Sequence, residues 1–372
     1  MIKSEHMRSL KMFLFAAALL GATACDSILE VENPGDVTEE ALQSEEALPV
    51  LVNGVYGDLQ DAYDNLVLTT GIFTDELAHS GSFPTFAQYD NRSITTDNVS
   101  LLGFFADVST ARFSADQAIA TLRTELEDPA SDPLLAEALA LGGYARLFLA
   151  DNFCQVTLDA GPPLEPQVVY QQAEELFTEA IQVAGTAGDD VHQNLALVGR
   201  ARTRLNLGNN AGAIADAAMV PDDFVFLIEY ALTSGRENNE VTVFTVSRRE
   251  ASIGEPFWND PRIPQCSVHP ASTVAACTFA IEGELGPDNE TPLFVQLLYP
   301  TQESPIPLAT GVEANLIEAE ASGQDVSEEK AFALFLRGSR LADLRRRNDP
   351  FLAGGDTCFP FPLREIDTNP NL

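Results

Sequence analysis

The chain has 372 residues, 45% of them hydrophobic, and sets 21 Lys and Arg against 56 Asp and Glu for a net charge of −35. A surface so negative repels phosphate backbones, which excludes nucleic acid as a partner, and it repels anionic lipid as well. The acidic residues run along the whole sequence, so they describe a solvated surface and assign no function by themselves.

The first two dozen residues read as a leader. Lys3, Arg8 and Lys11 precede a short apolar run, Met12 to Leu20, that ends in small residues, the pattern of a secretory signal peptide over 1–24, with Met7 as a second possible start. The apolar run is about half the roughly 20 residues of a spanning helix, and no later segment is expected to cross a membrane. Ala22-Thr23-Ala24-Cys25 can be read as an ordinary cleavage site or as a lipobox in which Cys25 is acylated; the lipid reading is favoured. An acidic tether over 25–45 would then space the domain from the bilayer.

From 46 onward helical periodicity dominates. Tyr170, Ala173, Leu176, Phe177, Ala180, Ile181 and Ala184 fall on one face, opposite Gln171, Gln172, Glu175 and Gln182. The same pattern predicts helices over 46–63, 101–127, 133–152, 190–207, 211–219, 311–322 and 328–347, about eight in all. Ala173-x3-Phe177-x2-Ala180, followed by Ala201, Gly208 and Ala213, has the spacing of tetratricopeptide helix pairs. Between 222 and 308 the character changes to short β-like runs, 224–228 and 241–246, among Pro, Gly and Asn clusters; hairpins and long loops are expected there. The fold class is therefore mainly α, one domain over 46–372 built of tetratricopeptide-like pairs, with a loop and β-hairpin insertion. In the last long helix Ser327 is the expected cap and Arg345, Arg346 and Arg347 the closing turn, paired with carboxylates and the helix end.

Cys154, Cys266, Cys277 and Cys358 are an even set in an exported chain and read as two disulfides, with three pairings open. Cys266 and Cys277 share one loop and can close it locally, which leaves Cys154 for Cys358. A zinc site is not supported, since no close C-x-x-C pair exists. His79, His192 and His269 have no metal-ligand spacing, and no nucleophile elbow or P-loop occurs. The chain is read as a non-enzyme without metal or cofactor.

Several segments, in order, resemble the SusD/RagB family of outer-membrane nutrient-binding lipoproteins. Cys25 is followed by Leu29-Glu30-Val31-Glu32-Asn33-Pro34; Thr74-Asp75-Glu76 looks like the family's Ser-Asp-Glu turn. Ala136 to Phe153 and Gly161-Pro162-Pro163-Leu164 resemble its long helix and Gly-x-Pro-Leu stretch, and Asn259-Asp260-Pro261-Arg262 its Asp-Pro-Arg turn. Leu316 to Ala321, Gly338 to Arg346 and the ending from Phe359 to Leu372 complete the series. The resemblance implies lipid anchoring at the outer membrane, facing the cell surface, with a SusC-like TonB-dependent transporter as partner and a glycan or other nutrient as ligand. Between Ala321 and Phe332 the chain is shorter than the family pattern. A helical-repeat lipoprotein scaffold in envelope assembly is the alternative.

A sugar site needs exposed rings with polar side chains beside them. The stretch 75–98 offers Asp75, Phe83, Phe86, Tyr89, Asn91 and Arg92, and Trp258 stands in the other loop region beside Asp260 and Arg262. These are the candidate ligand-binding residues.

Overall fold

A computed structural model describes residues 47–278 and 283–372; the leader, Cys25, the tether and the Leu29–Pro34 motif lie outside the described residues. The chain begins with α1, Leu48–Phe73, which runs ten residues past its expected end. Thr69 and Thr70 obscure the helix in the sequence because β-branched residues disfavour it. Both hydroxyls donate back to carbonyls one turn earlier, Thr69 to Asn65 at 2.7 Å and Thr70 to Leu66 at 2.6 Å, while every residue from Leu66 to Phe73 is buried.

After a short strand β1, Leu77–His79, and a short helix α2, Pro84–Asp90, come the long helices α3, Val99–Glu125, and α4, Pro133–Asn152. Asn98 caps α3 by accepting from Ser100 and Leu101, and Asp132 caps α4 ahead of a proline at its first position. By length and composition alone α4 could cross a membrane. Its apolar surface instead serves the core, since it is buried on nearly all sides.

The helices α5, Pro166–Ala187, α6, Asp190–Asn206, and α7, Asn210–Ala217, follow, each packed on its neighbour. The tetratricopeptide spacing has a physical basis here. Phe177 lies between two glycines of the flanking helices: a Cβ on Gly143 would stand 2.6 Å from its ring, and one on Gly199 would stand 2.4 Å away. One aromatic ring thereby sets how closely α4, α5 and α6 approach.

The region beyond 220 departs from simple hairpins. Strand β2, Val225–Ile228, pairs antiparallel with β6, Ile306–Thr310, at the far end of the insertion. Strand β3, Ala251–Ile253, pairs with β1, and β4, Gln265–Cys266, with β5, Val295–Gln296. The run 241–246, expected as a strand, is a helical turn, Glu240–Thr242, continued by a π-turn, Val243–Ser247. Buried Asn239 starts it, its Oδ1 accepting from Thr242 at 3.1 Å and its Nδ2 donating to the Ser304 carbonyl at 2.7 Å. Capping and packing override the β-branched preference.

The expected helix over 328–347 is two helices. After α8, Gly311–Ala321, come α9, Ser327–Ala333, and α10, Arg340–Arg346, parted by a break in which Leu336 and Gly338 have φ of 53° and 70°. The break is held by tertiary contacts: the Glu76 carboxyl oxygen Oε1 accepts from the Leu336 N–H at 2.9 Å, and a Cβ on Gly338 would stand 2.0 Å from Leu66. Ser327 does not cap α9; it is the first helical residue and its hydroxyl donates to Asp325. A last short helix α11, Leu363–Thr368, precedes the C-terminus.

One hydrophobic core joins helices α1 to α10, with a small satellite around Cys266, Leu293 and Val295. Two disulfides close the fold, Cys154–Cys358 across 204 residues and Cys266–Cys277 across 11. Beside the first, Phe359 enters the core and meets Phe73, Tyr89, Phe104 and Phe153 at centroid distances of 5.0 to 5.8 Å, mostly edge to face.

Candidate functional site

The pairing of β1 with β3 decides what faces the loop after His79. Its register, Leu77 opposite Ile253 and His79 opposite Ala251, brings the π-turn Val243–Ser247 beside α2. Pro84 starts α2, and Phe83, just ahead of it, keeps 38% of its surface exposed. The Phe83 ring lies 6.3 Å from that of Phe244, and the Arg248 guanidinium stands over both, 4.8 Å from Phe83 and 4.9 Å from Phe244. A cation over two ring faces holds the aromatics at the surface. Arg248 also pairs with Glu250 at 3.0 Å, which fixes its direction.

Next to this cluster opens a cleft of about 350 Å³ lined by Ser247, Arg248, Arg249, Leu285, Gly286 and Asn289. Its far wall, the loop around 286–291, is seated on the turn after β1: Asp288 donates its N–H to the Ser80 carbonyl at 3.0 Å, and Thr291 donates its hydroxyl to the His79 carbonyl. Burial works to raise the Asp288 carboxyl, but hydrogen bonds from Thr291 and Glu290 outweigh it and hold the group below its ordinary value. Asp90, nearby, goes the other way: burial raises it although the His79 N–H donates to it. Two arginines, an amide and a hydroxyl line the cleft, and the Phe83 ring stands beside it under Arg248, a set that suits a ligand apolar on one face and hydroxylated at its edges.

No family model matches the sequence, and no curated protein matches it. Solved structures do. A SusD-like carbohydrate binding protein from Bacteroides fragilis NCTC 9343 superposes with a TM-score of 0.70 at 13% identity, over 89% of this chain and 99% of that one. A SusD homolog from Bacteroides thetaiotaomicron VPI-5482 gives 0.69 at 14% identity, over 90% and 98%. A SusD superfamily protein from Parabacteroides distasonis ATCC 8503 gives 0.67 at 13% identity, over 91% and 99%. The chain has the SusD fold.

Within this SusD fold, the segments that carry the sequence resemblance turn out to touch one another. Asp75 accepts two hydrogen bonds from Arg340, at 2.7 and 2.6 Å, and its neighbour Glu76 holds the Leu336 break, so the turn after α1 is tied to the C-terminal segment. Glu320 of α8 pairs with Lys330 and Arg346 at 2.8 and 2.7 Å. Asp343 joins the same cluster; burial alone would raise its carboxyl, yet Lys330 and Arg346 hold it far below the usual carboxylate range. The terminal segment returns to the loop after α4, where Asn369 donates to the Gly161 carbonyl and Thr157 donates to Glu365. Asp260 accepts both arms of Arg262, whose guanidinium lies 3.5 Å over the Phe332 ring.

The predicted ligand residues scatter against this geometry. Phe83 alone is an exposed ring beside the cleft, under Arg248. Phe86, one turn on, is buried under it and packs on Phe244 at 4.9 Å. Tyr89 is fully buried, so it offers no face to a ligand; burial pushes its hydroxyl up, and that hydroxyl has no partner among the described residues. Asp75 is engaged by Arg340. Asn91 is exposed but closes α2 by donating to the Ala87 carbonyl at 2.8 Å, and Arg92 turns the other way, with its guanidinium 4.9 Å over the Phe351 ring. Trp258 stacks on Phe294 at 4.5 Å and donates its indole N–H to the Ile253 carbonyl at 2.7 Å, which makes it chiefly a wall of the fold. Phe244, Arg248, Arg249 and Asn289 were not nominated by the sequence. The signal for the first two is i, i+4 spacing in a run that reads as strand, and for the arginines a basic pair in an acidic chain.

Proposed function

We propose that this chain is a lipid-anchored outer-membrane protein that binds an extracellular glycan or related nutrient at the Phe83, Phe244 and Arg248 cleft, does no chemistry on it, and passes it to a SusC-like TonB-dependent transporter. The observation that carries the reading is the fold, shared over nearly the full length of a neighbour described as a SusD-like carbohydrate binding protein. Two features support it further. An exposed ring, Phe83, stands under an arginine that lines the cleft, and a ring beside fixed polar groups is the combination that stacks on a pyranose face and reads its hydroxyls. The leader ending at Cys25, with the tether over 25–45, supplies an anchor.

The test has two arms. Full-length protein from native-like membranes is expected to co-purify with a large β-barrel, and the soluble domain is expected to bind members of a glycan array in a manner weakened by Phe83→Ala. Recovery of periplasmic proteins without a barrel, together with indifference to every glycan, would replace this reading with the envelope scaffold.

A further inference from the structure

The run Arg345, Arg346, Arg347 divides its tasks in an unexpected way. Arg346 is fully engaged by Glu320, Asp343 and Asn206. Arg347 lies 3.9 Å from Asp349. Arg345 has no carboxylate partner among the described residues: its Nη1 donates to the carbonyls of Ala150 and Asp151 at the end of α4, and no hydrogen bond engages its Nε or Nη2. Arg345 also lines a separate cavity of about 280 Å³ between α5, α6 and α10, together with Gln167, Tyr170, Asn206 and Arg346.

Two properties of this cavity stand out. In a chain with 56 Asp and Glu, not one lines it. The nearby carboxylates are already neutralised: Asp151 accepts from Tyr170, Arg202 and Asn206, while Glu320 and Asp343 are held by Lys330 and Arg346. Arg345 makes no ion pair with any of these carboxylates, and the exposed amide of Gln167 adds a donor at the mouth. A planar guanidinium with two adjacent free donors matches the oxygens of a carboxylate or sulfate. The volume lies just below the roughly 300–1,000 Å³ of drug-sized sites, which suits a small anion or a single acidic sugar.

We propose that this cavity is a binding site for a small oxyanion, carboxylate or sulfate, centred on Arg345 and distinct from the Phe83 cleft. The probes are sodium sulfate, glucuronate and, as the uncharged control, methyl glucoside, titrated calorimetrically into the whole domain. Binding heat is the readout because sulfate raises melting temperatures by general exclusion. Sulfate and glucuronate are expected to bind and methyl glucoside is not; binding of glucuronate alone would assign the site to a sugar-borne carboxylate. Arg345→Gln is expected to weaken binding roughly tenfold or more, the scale of one lost charge-assisted hydrogen bond. Because that variant also uncaps α4, Gln167→Glu serves as the second: it places a carboxylate at the mouth, touches no contact of Arg345, and suits the start of a helix. Absence of heat with both anions, or unchanged binding in Gln167→Glu, overturns the proposal. Neither variant is expected to alter binding at the Phe83 cleft.

Discussion

Replacing Glu76 by Gln should change how stability depends on pH. Glu76 is buried, one oxygen accepting from the Leu336 N–H and the other without a partner among the described residues. Burial is the main cause that pushes its carboxyl up to about 8, against smaller opposing effects of the Leu336 N–H and Arg340. The unfolded chain releases this proton near the ordinary value of 4.5, whereas the folded chain keeps it until about 8. Between those values the folded state binds one proton more, so stability is highest below the lower value and falls as pH rises through the window. Each pH unit is worth about 1.4 kcal/mol, so from pH 5 to pH 7 wild type should lose about 3 kcal/mol relative to Glu76→Gln. The comparison is a pair of urea unfolding curves at each pH, wild type against variant, which cancels the titration of the other acidic groups. The amide's own unmatched N–H adds a constant cost of about 1–3 kcal/mol, so the slope is read and not the level. A gap between the two proteins that stays constant from pH 5 to pH 8 would refute a proton held at Glu76.

Three further outcomes are expected. Phe83→Ala and Arg248→Ala should each weaken glycan binding by about 1 kcal/mol without loss of stability, whereas Phe86→Ala should lower stability by roughly 3 kcal/mol; array binding and thermal melts separate the two effects, and an unaffected Phe83→Ala would move the site elsewhere. Reducing Cys154–Cys358, or replacing both by Ser, should destabilise the chain by up to about 5 kcal/mol on the loop-entropy model, against about 3 kcal/mol for removing Cys266–Cys277, as read from denaturant midpoints. Gly199→Ala should cost about 1–3 kcal/mol by driving a methyl into the Phe177 ring, and Phe177→Leu in the same chain should recover part of the loss; additive losses would contradict that contact.

The helical body was legible because its signals are local. Apolar periodicity and the small residues around Phe177 are visible within a few turns of chain, whereas the one cap the sequence named, Ser327, is not a cap. What escaped was governed by distant partners. The end of α1 is the one local exception: Thr69 and Thr70 look unfavourable until their hydroxyls are seen bonding one turn back. The 241–246 run has strand composition, but Asn239, held by the Ser304 carbonyl, starts a helical turn there. Nothing between 328 and 347 forbids one helix except Gly338; the decisive contact comes from Glu76, across 260 residues. The cleft was missed for the same reason. Phe83, Phe86 and Tyr89 read as three rings in one loop, yet i+3 spacing on α2 turns two of them inward. The partners of Phe83 arrive through the β1 and β3 pairing, from about 160 positions further along the chain. The two disulfides were easier, because a local pair in one loop leaves a single choice for the other two cysteines.

The position of Phe359 has a consequence for how such a fold comes apart. The ring that four other aromatics close upon belongs to a segment far along the chain from all of them, and its neighbour Cys358 supplies the second half of the long bridge. Without that ring, α1, α3 and α4 have a hole where their shared centre should be. The segment is thus a keystone: displacing it alone would open the centre to solvent and proteolysis although nearly every helix is present.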